Sequence, residues 1–356
     1  MKNQHFNLLI PLLVSFLFLS LCCKDEPTKP DDILKEGPRY YTWTVDTLAY
    51  PGSWQTNMQS IWGSSASDVY IVGHNDQMGS GNMFRFDGEK WTAIKFHYAD
   101  GGTIYGSISL TDVYGFTSND IWAVGSKYEY NYTMDSSFIM HYNGIQWTEQ
   151  QIQRGRSLQV VWGLGPNDVW AGGISGILYH YNGVQWSKVP LTSNEWFARI
   201  EGISSNDVYG IAYHFTTAND TMVWSLMHWD GASWSIQIQF NNDYYVADKF
   251  GTGALHVING TYYSVGRGYF RKAGTNWERI YYNDNRPSFI DFAALNENDV
   301  VVVGSRGLVY HYNGSDWYQF AQFNNPNFSY CDCWRSDKEV FIVGHDGNKT
   351  IILHGK

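Results

Sequence analysis

The sequence predicts an all-β fold, a seven-bladed β-propeller of four-stranded antiparallel blades, and three observations carry that prediction. First, Trp43, Trp91, Trp147, Trp186, Trp234, Trp277 and Trp317 recur 39 to 56 residues apart in a 356-residue chain. An interval of that size is one blade of a radial repeat array. Second, the tryptophans close a repeated phrase, clearest in Asp120-Ile121-Trp122-Ala123-Val124-Gly125 with His141-Tyr142-Asn143-Gly144-Ile145-Gln146-Trp147, and in Asn167-Asp168-Val169-Trp170 with His180-Tyr181-Asn182-Gly183-Val184-Gln185-Trp186. Third, turn residues fall where hairpins need them. Asp87-Gly88, Asn143-Gly144, Asn182-Gly183, Asp230-Gly231 and Asn313-Gly314 suit turns that demand positive φ, and polar clusters such as Ser64 to Asp68 and Gly165 to Asp168 separate the first two strands of each unit.

The copies lie near residues 56–95, 107–152, 156–190, 196–239, 247–281, 288–321 and 326–355. Such meanders cannot bury both faces alone, so they are expected to stack around an axis and bury their faces between neighbours. A tryptophan opening each outermost strand is placed to cover the seam to the next blade, where burying it contributes roughly 2 to 3 kcal/mol. The fifth copy departs from the pattern, with Ile258-Asn259-Gly260 at its first turn and Lys272-Ala273-Gly274-Thr275-Asn276-Trp277 at its last. The seventh stops at Ile351-Ile352-Leu353-His354-Gly355 without a tryptophan strand. Tyr41-Thr42-Trp43-Thr44-Val45-Asp46 has the form of Lys90-Trp91-Thr92-Ala93-Ile94-Lys95, so the N-terminal strand is expected to complete the last blade and close the ring.

Residues 1–21 read as a signal peptide, because Phe6 to Leu21 is an apolar run too short to span a bilayer. Its end, Leu19-Ser20-Leu21-Cys22-Cys23, resembles the lipobox of bacterial lipoproteins. The resemblance implies acylation of Cys22, with Cys23 as the alternative, and an outer-membrane lipoprotein of a Gram-negative bacterium, surface-exposed or periplasm-facing. Residues 22–38 then form the lipidated cysteine and a charged, proline-containing tether, and 39–356 the propeller. Lys24-Asp25-Glu26 resembles the acidic export signals of surface lipoproteins in Bacteroidetes-like bacteria. Several acyl chains make such anchoring stable. Beyond the lipobox only Cys331 and Cys333 remain, two positions apart on one strand. A mutual disulfide there would close a strained ring, so both read as buried thiols packing as small apolar groups, with a metal or redox role as the alternative.

Variation between blades is where a ring makes a site. The connections between second and third strands and between blades are the longer, aromatic ones. They mark a candidate binding face of Tyr98, Tyr128, Tyr130, Tyr132, Trp196, Tyr213, Tyr244, Tyr245, Tyr281, Tyr282 and Arg286. Tyrosine and tryptophan combine flat apolar area with a hydrogen-bonding tip, which suits protein and sugar alike. His141, His180, His228, His311 and His354 share one repeat position and are expected to be structural, each in its own blade.

Nucleophile-elbow, zincin, phosphate-loop and EF-hand motifs are all missing, so no catalytic residue, metal or cofactor is expected. A net charge of −10, with 24 Lys and Arg against 34 Asp and Glu, disfavours nucleic acid as partner. The repeat Trp62-Gly63 to Val72-Gly73 with Asp87-Gly88-Glu89-Lys90-Trp91 resembles uncharacterised propeller repeats of exported Gram-negative proteins. Its turn is similar to a shortened Asp-box of sialidases, which would imply an arginine triad, a tyrosine nucleophile and a carboxylic acid/base. The eleven arginines form no recognisable triad in sequence. A similarity to non-catalytic photosystem-assembly-factor propellers favours binding instead. The expectation is a monomeric, lipid-anchored scaffold for an envelope or extracellular protein or a surface glycan, with a sialidase-like glycan hydrolase as the alternative.

Overall fold

A computed structural model describes residues 37–76, 80–96, 107–128, 136–152, 155–216, 221–241, 249–282 and 288–356. After a 3-10 turn at Pro38–Tyr40, β1 (Trp43–Leu48) precedes the repeat units. The first is β2 (Thr56–Ser65), β3 (Asp68–Asn75), β4 (Ser80–Phe86) and β5 (Trp91–Lys95). The second is β6 (Ser107–Thr117), β7 (Asp120–Tyr128), β8 (Ser136–Tyr142) and β9 (Trp147–Glu149). Then come β10 (Leu158–Gly165), β11 (Asp168–Gly173), β12 (Leu178–Tyr181) and β13 (Trp186–Lys188). They are followed by β14 (Trp196–Ser204), β15 (Asp207–Phe215), β16 (Met222–Trp229) and β17 (Trp234–Asn241). The degenerate copy forms β18 (Ala254–Ile258), β19 (Thr261–Val265), β20 (Gly268–Ala273) and β21 (Asn276–Tyr282). The last two are β22 (Phe289–Asn296), β23 (Asp299–Gly304), β24 (Val309–Tyr312) and β25 (Trp317–Gln319), then β26 (Ser329–Arg335), β27 (Val340–His345) and β28 (Thr350–Gly355).

All pairing is antiparallel and all blades are four-stranded meanders, as expected of a propeller. The count of seven is corrected: five blades stand as separate four-stranded sheets. The copies at 56–95 and 107–152 are instead joined in one eight-stranded sheet, because His74 in β3 pairs with Ser109 in β6. Around the axis each inner strand touches the next, from β2 through β6, β10, β14, β18 and β22 to β26, which returns to β2. The ring is closed as the sequence anticipates. β1 pairs with β28 from Trp43↔Gly355 to Leu48↔Thr350. Thr42 and Lys356 extend the ladder by exchanging backbone hydrogen bonds of 2.8 and 3.1 Å. Arg39 rivets this strand to the preceding blade, donating to the Asp316 carboxylate at 3.0 Å, to the Asp316 carbonyl at 2.7 Å and to His311 Nδ1 at 3.1 Å.

Hydrophobic residues form both faces of the middle strands, because each blade is covered on two sides. In β23, Val300, Val301, Val302 and Val303 are all fully buried. Each buried cluster draws on neighbouring units, as where Val160, Trp162 and Trp170 pack with Phe197, Val208 and Trp234. The repeated tryptophans lie in these seams but reach back rather than forward. Trp186 meets Trp122 edge-on at 5.5 Å, Trp234 meets Trp170 at 5.5 Å, and Trp147 meets Tyr70 at 6.2 Å, each partner belonging to the preceding unit. The expected seam is therefore right and its direction reversed. At the Asx-Gly turns, Asn182 Oδ1 accepts from the backbone N–H groups of Val184 and Gln185, while Gly183 takes φ 86° with no room for a Cβ against Asn167.

Two outcomes test this construction. Deleting residues 39–48 strips β28 of its partner and is expected to abolish the single cooperative melting transition; an unchanged melt would refute closure by β1. Trp234→Ala is expected to cost about 3 to 5 kcal/mol in denaturant unfolding, as for other buried aromatic truncations.

Candidate functional site

The axis is lined by the inner strands, and most of these carry one β-bulge near their start. Register shifts fall at Met58/Ser60, Leu110/Asp112, Leu158/Val160, Phe197/Arg199, Phe289/Asp291 and Tyr330/Asp332. A bulge re-aims the residue that follows it. That residue is Ser60, Asp112, Val160, Arg199, Asp291 or Asp332, and four of the six are charged. The carboxylates bond across the ring. Asp112 accepts from the Val161 N–H at 2.8 Å and from the Ser60 hydroxyl at 2.7 Å. Asp332 accepts from the Ile61 N–H at 2.8 Å, and Asp291 from the Cys333 N–H at 3.1 Å. Inter-blade backbone donors that have no ladder partner are thus satisfied by side chains.

His256 stands where no bulge occurs. Its Nε2 meets Asp291 at 3.1 Å and its Nδ1 meets Glu201 at 3.4 Å, while Glu201 also accepts from the Trp162 indole at 3.1 Å. Burial pulls the imidazole down, but bonds to Asp291 and Glu201 outweigh it and hold its pKa up at about 10. Burial also pushes Asp112 up to about 6 and raises Glu201 against the pull of His256. Asp332 lies against Asp291, and burial together with that negative neighbour pushes it well above the carboxylate range. Asp291 goes the other way, since bonds from Asp332 and His256 overcome the effect of burial. The group is a proton-sharing carboxyl pair facing an imidazolium.

Two adjoining cavities of about 190 Å³ each follow the axis. The upper one, at the level of the bulges, is lined by Gln59, Thr111, Gln159, Phe197, Ala198, Arg199, Tyr213, Ile290 and Cys331. The other reaches deeper to Asp112, Glu201, His256, Asp291 and Asp332, with Trp62, Trp162 and Trp334 beyond. Inner strands enter from the connections between units, so the upper chamber lies toward the longer, more varied loops. Arg199 lines both cavities.

Among the residues anticipated from sequence, Cys22, Cys23, Tyr98, Tyr130, Tyr132, Tyr244, Tyr245 and Arg286 lie outside the described residues. Of Tyr128 and Tyr282 only the backbone is described, ending β7 and β21. Trp196 and Tyr213 come together at 5.5 Å, joined by Phe215 and Trp224, and Tyr213 borders the upper chamber. Tyr281 lies at a seam between units. It is half-buried, stacks on Trp317 at 4.7 Å and packs against Phe289 and Tyr310. The five repeat histidines are structural, as expected: His141 bonds Asp120 at 2.8 Å and stacks on Trp122 at 3.8 Å, and His180, His228 and His354 repeat the arrangement on Asp168, Asp207 and Glu339. His311 bonds Asp299 at 2.8 Å. Cys331 and Cys333 are free thiols with raised pKa, chiefly through burial.

Sequence reasoning missed the axial charges. Their signal was a polar or charged residue recurring between apolar ones at one repeat position, as in Leu110-Thr111-Asp112-Val113 and Cys331-Asp332-Cys333. It also missed Trp54, 87 % exposed between β1 and β2, where the Asp76 carboxylate accepts its backbone N–H at 3.1 Å.

Fold and axial channel define a β-propeller of four-stranded blades, and solved structures agree. The chain is similar to YCF48 bound to a D1 peptide, with 14% identity, 90% of this chain and 98% of that chain covered, and a TM-score of 0.61. It is similar to YCF48 from Cyanidioschyzon merolae at 13% identity, covering 87% and 98%, TM-score 0.58. It is also similar to the extracellular domain of BT4673 from B. thetaiotaomicron at 12% identity, covering 86% of this chain and 39% of that one, TM-score 0.57. At such identities the likeness shows the fold alone. No protein-family model matches the chain, and no curated protein matches it in sequence.

The axial cluster carries a pH prediction. His256 titrates near 10 in the folded state against an ordinary 6.5, so its stabilising contribution is complete below pH 6.5 and is lost as pH rises to about 10. His256→Gln is expected to flatten the stability profile across that window, measured by urea unfolding at several pH values; an identical slope in the variant would refute the assignment.

Proposed function

We propose that the chain is a non-catalytic binding module of the cell envelope, lipidated at Cys22 (Cys23 being the alternative), tethered to the outer membrane through residues 22–38, and engaging a protein partner at its loop-rich face. One observation carries the reading. The upper axial chamber offers Arg199 and Tyr213 beside the aromatic group of Trp196, Phe215 and Trp224, which is a polar pocket rimmed by flat apolar anchors. The similar YCF48 structure contains a D1 peptide, and the similar B. thetaiotaomicron domain is extracellular; both support a peptide-recognising propeller outside the cytoplasm.

A second reading, a glycan hydrolase, draws support from Asp291, Asp332, Glu201 and His256 converging on the axis. Against it, Asp112, Asp291 and Asp332 are each committed to backbone N–H groups of a neighbouring inner strand, and Arg199 alone is not an arginine triad.

Crosslinking on intact cells followed by mass spectrometry tests the proposal. One stoichiometric protein is expected, with capture falling by at least about fivefold in Trp196→Ala/Tyr213→Ala while the melting transition persists. Turnover of fluorogenic sialosides or other glycosides, lost in Asp291→Asn, would replace this reading with the hydrolase.

A further inference from the structure

Arg199 occupies the position after the bulge at which β2, β6, β22 and β26 place Ser60, Asp112, Asp291 and Asp332, and β10 places Val160. A guanidinium cannot accept the backbone N–H that those polar side chains accept, so the substitution gives up an inter-blade bond and puts a cation in the channel. Its charge acts at longer range on Asp112 and Asp291, lowering both carboxyls, but neither closes on it as a hydrogen-bonded partner. Among the described residues its only hydrogen bond runs from Nη1 to the Ala198 carbonyl at 2.8 Å, and no carboxylate stands within ion-pair distance. A guanidinium carries five N–H donors in a planar fork, which leaves most of them directed at open space.

The two chambers sort charge in the same sense. Below, the carboxylates are matched by donors of their own: Asp112 by Ser60 and two backbone N–H groups, Asp291 by His256 and the Cys333 N–H. Above, Arg199 is the only charged residue in the lining, and around it stand Gln59, Gln159, Thr111 and Tyr213. Phe197, Ile290 and Cys331 supply an apolar wall. A volume of about 190 Å³ falls below that of a drug-sized pocket and suits a carboxyl group with a short apolar stem.

Resting on the binding-module reading above, we infer that the upper chamber is a carboxylate-recognition site in which Arg199 grips the two oxygens of an incoming carboxyl group while the group's apolar stem lies along Phe197 and Ile290. Fork-to-carboxylate pairing is the strongest geometry available to such a cation, and partial seclusion from water strengthens it. The same chemistry is presented by the C-terminus of a peptide and by a small free acid.

The test uses the full chain and three probes: acetate, N-acetyl-Ala-Leu with a free C-terminal carboxylate, and N-acetyl-Ala-Leu amide, titrated by calorimetry. At least one acid is expected to bind, with the amide weaker than the peptide acid by about tenfold or more and Arg199→Gln losing about tenfold. Arg199→Lys, which keeps the charge and loses the fork, is expected to fall between the two and serves if the Gln variant fails to fold. Acetate binding as tightly as the peptide acid assigns the site to a small free acid, and binding of the peptide acid alone assigns it to a chain end. Equal binding of acid and amide, unaltered binding in Arg199→Gln, or no binding of either acid overturns the inference. The wider reading stands apart from these results: a protein captured on cells whose capture is indifferent to Arg199→Gln leaves the binding module intact and removes only the carboxylate.

Discussion

Every sheet in this molecule has two apolar faces, and that is the constraint from which the rest follows. A four-stranded meander whose middle strand reads Val300-Val301-Val302-Val303 cannot leave either face in water. Only a closed ring gives every face a neighbour, so the β1–β28 pairing that joins the two ends of the chain underwrites the burial of all the others. Three seams are finished by aromatic groups in one order: a fourth-strand tryptophan lies edge-on to an aromatic ring of the preceding unit, and that ring stacks on a histidine held by a carboxylate, as in Trp186, Trp122, His141 and Asp120.

The axis obeys the opposite requirement. Where the inner strands converge there is no further sheet to satisfy their outward N–H groups, and a bulge brings a short polar side chain to bond the next strand. Carboxylates are strong acceptors but expensive to bury, and the cost is offset by His256 between Asp291 and Glu201, while burial beside Asp291 pushes Asp332 toward its neutral form. The polar channel is thus first a device of assembly. It becomes a candidate site where a cation replaces the acceptor, at Arg199.

Much of the fold was legible in the sequence because it is written repeatedly: the Asx-Gly turns, the tryptophan interval and the orphaned strand around Trp43 each depend on local chemistry that survives averaging over copies. The degenerate copy could be recognised because Asn259 and Gly260 take positive φ, 49° and 73°, in place of the usual polar turn. The merging of two units could not be foreseen, since it rests on one contact between His74 and Ser109 that no local pattern encodes. Site residues were harder for the same reason inverted. Arg199 and His256 matter because each breaks the repeat that Asp112, Asp291 and Asp332 follow, and their meeting depends on ring geometry across residues as distant as Ser60 and Asp332. The seam contact of Tyr281 was not legible, because its strand runs on to Tyr282 where the sequence pattern suggested a loop.

The last blade takes three strands from the end of the chain and one from its beginning, pairing Trp43 with Gly355. Its completion therefore waits for β28 to be made. A chain emerging N-terminus first holds β1 unpaired until β28 follows, and every intermediate before that exposes the open edge of a sheet as well as an uncovered apolar face. Joining ends so far apart in sequence makes closure a late and slow event in folding, with a large loop entropy to overcome before any of its contacts form. Once made, the same bond reverses that weakness: no blade can peel away from a terminus, because the molecule has no terminal blade.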